Sequence, residues 1–441
     1  MRSSLRCGAN GHRRGIRLSK NKANCYTSGV LIKKLFFILS ILILVFLGFQ
    51  QRWYDTLSGD LRNVYFPLAQ THLPGISIYP PGANLFFMLL PSNNLQIFQW
   101  AFIIVNILLL IIIAKLTKKP ALLALIILAA GPILLFRFDL LVMLLVVVAI
   151  ISFQRNNFYL SAVFLGIATI TKLFPIILLP YFLFTLNRRK ILPYLLFFIL
   201  PIAVISLIYS LVTGQDLLTI LNKANGAFTV SVHVESVMAT VLTTITAVTN
   251  PGPHGLLFKD ALWSLDPLYF LGHARIFKFI TPIVIAVTYF LIYLKQKTFE
   301  VRVCLLIILT LIISSQLLSP QYVVWPAILF LLIDKPGRLN IILILLILFL
   351  TQLIYPLNYG EFLDFYNKGI NLPLFLILAA RNLTLVILTL RLFVNVISSM
   401  NNRANDIRRQ SRMAVYKKCR TSIVKYLYNK IYALYPFRNY I

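Results

Sequence analysis

"LIKKLFFILSILILVFLGFQQRWYDTLSGDLR", residues 31–62, joins an apolar run to a polar segment that holds two aspartates. The run Leu31–Gly48 approaches the ~20 residues that one helical crossing of a bilayer takes. Nine basic residues and no acid occupy the first 34 positions. No small-residue cleavage site follows the run, so it is expected to be an uncleaved signal anchor with the N-terminus in the cytoplasm.

Runs of the same kind recur as far as Phe393. Hydrophobic residues make up 59% of the 441, and the mean hydropathy is +0.84. A soluble fold of this length has no interior large enough for that much apolar surface. The expectation is an all-α polytopic membrane protein, a bundle of about 12 crossing or re-entrant helices with two large non-cytoplasmic loops carrying interfacial helices. Spans are placed near 31–49, 95–114, 121–136, 139–154, 158–171, 173–186, 191–212, 276–294, 302–318, 321–334, 340–356 and 372–394. Residues 1–30 form a basic N-terminal tail, 31–394 the membrane domain and 395–441 a basic C-terminal tail. The loops run over about 50–94 and 213–275. The C-terminal tail, rich in tyrosine, suits a helix on an anionic leaflet or a solvated extension.

Charge tests the orientation. The net charge is +30, which in a soluble protein would suggest nucleic acid. In a membrane protein the same excess marks cytoplasmic loops, so no nucleic-acid partner is expected. With the N-terminus inside, cytoplasmic segments hold 32 of the 42 Lys and Arg, outer segments nine, and Arg381 lies within a span. Both termini are then cytoplasmic. Nine of the 12 acids fall on the outer side, a bias the positive-inside rule does not require. Cys7, Cys25, Cys304 and Cys419 avoid the outer loops and form no CxxC. No disulfide, metal or cofactor is expected from them.

The outer side also holds the polar residues with chemical potential. Asp55 and Asp60 follow the first span directly. Asp60 can cap an interfacial helix or serve as a base, and Asp55 is its rival. "ISIYPPGANLFFMLLP" sets a stiff Tyr79-Pro80-Pro81 turn before a short apolar stretch. Arg137 and Asp139 stand at a turn between spans, where they can pair with one another. Phe158–Leu186 has basic residues at both ends, so the chain is expected to turn at "ITKLFP" and hold Lys172 at the top of two short helices. A lone charge near midplane costs roughly 3 kcal/mol on insertion scales; Lys172 therefore needs water, an anionic partner or the interface to snorkel to. His233, Glu235 and Ser236 precede another apolar stretch. Gln321, Tyr322 and Trp325 end a hairpin, where an aromatic belt accounts for the Tyr and Trp. GxSxG, Walker, HExxH and strict DxD patterns are all missing from the chain.

Taken together, "SGDLRNVY", "YPPGANLFFMLLP", "TKLFPIILLPYFLF", "HVES" and "LSPQYVVWP" resemble the GT-C glycosyltransferases, and most closely glycosyltransferase family 87, over about residues 30–395. An aromatic usually follows the first-loop aspartate in that family; here Leu61 does. The resemblance implies an inverting hexosyltransferase, with mannose as the expected sugar. The donor would be a polyprenyl-phosphate-linked sugar, the acceptor a glycan or lipid, and the site would face outward from a bacterial plasma membrane. Nucleotide sugars are cytoplasmic, so a lipid-borne donor suits such a site. Asp60, or Asp55, would be the general base. Lys172, helped by Arg137 or Arg275, would stabilise the departing phosphate. His233 and Glu235 would bind hydroxyls, and Gln321 and Tyr322 would line the donor pocket. A secondary transporter and a lipid-linked glycan flippase or ligase remain the alternative readings.

Overall fold

The computed structural model describes residues 11–71, 79–215, 232–249, 256–259, 262–265, 274–295, 298–368 and 372–434. Helices dominate. α1 (Gly11–Gly48) continues from the basic tail through the first apolar run. α2 (Gln51–Asp60) follows after a tight break and passes through a π-helical turn, Leu61–Tyr65, into α3 (Phe66–Thr71). α4 (Pro81–Met88) starts on Pro80-Pro81, whose fixed φ suits a helix entrance. α5 (Leu95–Thr117) is capped by Asn94, whose side chain accepts from the Gln96 amide at 2.7 Å.

Next come α6 (Pro120–Ala130), α7 (Ile133–Phe136), α8 (Asp139–Gln154) and α9 (Phe158–Thr171). A 3₁₀ turn over Phe174–Leu178 leads to α10 (Leu179–Thr185) and α11 (Arg188–Thr213). α12 is Val237–Thr249. The strands β1 (Leu256–Lys259) and β2 (Leu262–Leu265) pair antiparallel, a hairpin of four-residue strands in an otherwise helical structure. β2 in turn holds the loop before α12, because the Leu265 amide donates to Val232 O at 2.9 Å. The remaining elements are α13 (Ala274–Lys295), α14 (Val301–Ser314), α15 (Val324–Phe330), α16 (Arg338–Ile354), α17 (Tyr359–Lys368) and α18 (Leu372–Leu434).

Among the described residues four stretches are long and apolar enough to cross a membrane: Val30–Gly48, Leu95–Thr117, Arg188–Thr213 and Leu372–Ser399. Eight further apolar helices run 10–17 residues. Many of their outward-facing positions are large and apolar, such as Leu42, Leu196, Leu211 and Ile342, which are more than half exposed. A surface of that kind belongs in lipid rather than water.

Some expected spans are broken, as 173–186 is by its 3₁₀ turn. The 121–136 stretch stops at Gly131, at φ +63°, followed by Pro132. Gln352 from α16 donates there to the carbonyls of Leu128, at 3.1 Å, and Ala129, supplying partners the helix end lacks. The 321–334 stretch is helical only over a 3₁₀ turn and the short α15. Elsewhere packing depends on small residues. A Cβ on Gly166 would collide with the Phe198 carbonyl, so α9 and α11 pack backbone to backbone. The main core runs through α1, α5–α9, α14–α16 and α18. A second cluster joins Val232, Val234 and Ala239 to Phe362, Tyr366 and Leu378.

Candidate active site

Arg137 and Asp139 do not pair with one another. Arg137 is extended, whereas Asp139 already opens α8, and the change of backbone sends their side chains to different partners. Arg137 forms an ion pair with Asp60 at the end of α2. Its other amino group donates to Tyr355 Oη at 2.5 Å, and that ring lies 5.7 Å from the guanidinium carbon. The Tyr355 hydroxyl in turn faces the Thr56 carbonyl on α2 at 3.5 Å. Asp60 is the open end of this chain: its side chain is 36% exposed, against 6% for Arg137.

Asp139 takes Lys172 instead. Nζ donates to Oδ1 at 2.7 Å, and the Trp325 indole N–H donates to the same oxygen at 2.5 Å. The carboxylate sits at a helix N-terminus and the ammonium just past a helix C-terminus, so each charge meets the favourable end of a helix dipole. Phe138, Tyr322 and Trp325 place their rings 5.0–5.2 Å from Nζ, which partly replaces the water the ammonium has lost. Phe174 stacks on Trp325 at 3.6 Å and closes the enclosure. Lys172 therefore does not snorkel to the interface. Oδ2 of Asp139 is buried and has no hydrogen-bond partner among the described residues.

The first long loop is held against this enclosure. Tyr79 packs edge-on to Phe138 at 5.2 Å, and Tyr65 stacks on Phe87 at 4.4 Å. α4 abuts the end of α9 so closely that a Cβ on Gly82 would lie 2.8 Å from the Ile170 carbonyl oxygen and from Thr171 Oγ1. Glycine is required there, because the group it faces is Thr171, the residue before Lys172.

Other anticipated residues lie elsewhere. Asp55 is mostly exposed and faces Arg62 at 3.7 Å. Glu235 is wholly buried and binds Arg381 of α18 at 2.9 Å; its backbone carbonyl also accepts from Arg381. Asn382 ties the same carbonyl to Ser236 and Thr240. His233 is buried with its amide donating to Gln316 O at 3.0 Å, and Nδ1 accepts from the Glu235 amide at 3.4 Å. Burial, reinforced by the Arg381 charge, pushes the imidazole pKa down to about 3 and keeps it neutral. Both residues are buried, and Oε1 of Glu235 has no hydrogen-bond partner among the described residues. Gln321 accepts from Ser319 Oγ at 2.6 Å. The Arg275 side chain lies outside the described residues.

Trp325 and Tyr355 complete the cluster, although neither was expected to be a site residue. Trp325 looked like an aromatic-belt residue, yet it is 3% exposed and spends its N–H on Asp139. Its spacing of three from Tyr322 was the available signal, since that spacing puts both rings on one helical face. Tyr355, within "TQLIYPLNY", carried none. Among the described residues no group of three or more His, Cys, Asp or Glu could hold a metal ion.

The family model of glycosyltransferase family 87 matches residues 78–320, more than half of the chain. The chain belongs to glycosyltransferase family 87. As a family 87 member it is a membrane-integral glycosyltransferase, an enzyme that moves a sugar from a donor to an acceptor. Arg137, Asp139, Lys172, His233, Glu235 and Arg275 fall within the matched stretch. Asp55 and Asp60 precede it, and Gln321, Tyr322, Tyr355 and Arg381 follow it. No curated protein matches the chain.

Proposed function

We propose that this enzyme transfers a hexose, mannose by family resemblance, from a polyprenyl phosphate to an acceptor hydroxyl at the non-cytoplasmic face, inverting the anomeric carbon. The observation that carries this reading is the placement of Asp60. Its partly open carboxylate is held by a buried arginine beside a buried lysine. A general base must be reachable by its substrate, and a departing phosphate needs cations close at hand.

The steps follow from those contacts. An incoming lipid phosphate competes for Arg137 and Lys172, whose ion pairs among the described residues are with Asp60 and Asp139. Loss of Arg137 to the phosphate frees Asp60. Asp60 then accepts the acceptor's hydroxyl proton as the new C–O bond forms. The bond from the anomeric carbon to the phosphate oxygen breaks, and the electron pair leaves with the lipid phosphate. Tyr322 lines the donor side through its contact with Lys172, with Gln321 next to it in the same turn. Glu235 acts at a distance, by fixing the loop before α12 to α18. The basic bias of the expected cytoplasmic loops supports a site facing the other way.

Asp60→Asn should lower hexose transfer by about 10²–10⁴-fold in membranes supplied with a polyprenyl-phosphate hexose. Wild-type rates from well-expressed variant protein would remove Asp60 as the base and promote Asp55. Product mass distinguishes the ligase alternative, which adds a whole glycan rather than one hexose.

A further inference from the structure

A concavity lies at the start of α5, and the guanidinium of Arg62, the partner of Asp55, stands 5.2 Å from the ring centre of Tyr54 in its wall. It has a volume of about 300 Å³ and is lined by Phe49, Tyr54, Gln96, Gln99, Trp100 and Ile103. That is the small end of the range for ligand sites. Its wall combines aromatic rings with two amides. Trp100 stacks on Phe49 at 4.7 Å yet remains 45% exposed. Tyr54 Oη donates to Gln99 Oε1 at 2.6 Å. Gln99 is 6% exposed, and its Nε2 has no hydrogen-bond partner among the described residues.

We propose that this cavity is a subsite for a neutral carbohydrate ring, contributed by the acceptor. An amide N–H left buried and unpaired costs about 1–3 kcal/mol, and a hydrocarbon chain cannot relieve that cost. A sugar hydroxyl can, while the C–H face of the ring covers the exposed indole. No acid or base lines the cavity, which disfavours a phosphate. The lipid phosphate has its own cations at Lys172 and Arg137, so the two substrates would be sorted by charge. One wall residue also lies on the helix that carries the base. Tyr54 belongs to α2, which ends at Asp60, and packs edge-on to Phe136 at 6.1 Å, next to Arg137. Only the assignment to the acceptor rests on the proposed transfer reaction; binding of the ring does not.

Saturation-transfer NMR on the purified full chain in detergent tests this, with methyl α-mannoside and methyl α-glucoside as probes. Wild-type protein should pass saturation to the sugar ring protons. Gln99→Leu, which keeps the volume, and Trp100→Ala, at a partly exposed position, should each weaken that signal at least about 10-fold. Asp60→Asn should leave it unchanged, so failure of the base assignment and failure of the subsite give different results. In transfer assays Gln99→Leu should raise the acceptor KM and leave kcat nearly intact. No saturation transfer to either hexoside in the wild type would overturn the proposal. So would an undiminished signal in both folded cavity variants.

Discussion

Asp60–Arg137 and Glu235–Arg381 are the same chemical pair in two different settings. Both arginines are buried and both carboxylates come from loops or helix ends. Asp60, however, keeps 36% of its side chain open, whereas Glu235 and Arg381 keep none. Arg381 is further locked by Asn382, with Thr240 behind it. Tyr355, Tyr359, Phe362 and Tyr366 form a continuous row of rings from the first arginine toward the Val234 carbonyl beside the second pair. The open pair leaves its carboxylate within reach of the outside. The closed pair does not, and its geometry is that of a clasp. A charge pair in an apolar body thus shows its role by what it leaves uncovered.

The contrast can be broken most directly at the clasp. Arg381→Met strands a buried carboxylate, which should cost about 3–5 kcal/mol and lower the thermal midpoint sharply. Adding Glu235→Gln should restore most of the loss. If Arg381→Met proves as stable as wild type in a detergent melt, the clasp has no structural weight. Next in size is Gly82→Ala. The added methyl meets backbone, so about 1–3 kcal/mol should be lost. Transfer should also fall, because the end of α9 beneath Lys172 must shift.

His233 sharpens the comparison through pH. Its folded pKa is depressed to about 3, whereas an unfolded histidine titrates near 6.5. Below about 6.5 the unfolded chain therefore binds more protons, and stability falls with pH until the folded value is reached. Between pH 6.5 and 5 the loss from this group should be about 2 kcal/mol. Melts of wild type and His233→Gln should converge as the pH is lowered over that interval. The smallest effect belongs to Asp55→Asn. Its exposed contact with Arg62 should contribute about 0–1 kcal/mol, and transfer should stay near wild type. A large loss of transfer would move the reaction centre away from Asp60.

The helices were legible because apolar runs and terminal charges obey simple length rules. Lys172 stood out for the same reason, as a charge with basic residues flanking both ends of its hairpin. The partners were harder to read. Arg137 and Asp139 are two apart, and local spacing favoured pairing them with each other; long-range packing separated them. Glu235 looked like a hydroxyl binder because Arg381, which consumes it, lies 146 residues away. Trp325 was concealed by a membrane-interface explanation adequate for most tryptophans. Single-residue chemistry is local in the sequence, but neutralisation of a buried charge is not.

Gly82 leaves α4 and the end of α9 with no side chain to cushion them. The backbone of α4 therefore acts as a stop for the end of α9, and it sets the point from which the chain carries Lys172 onward.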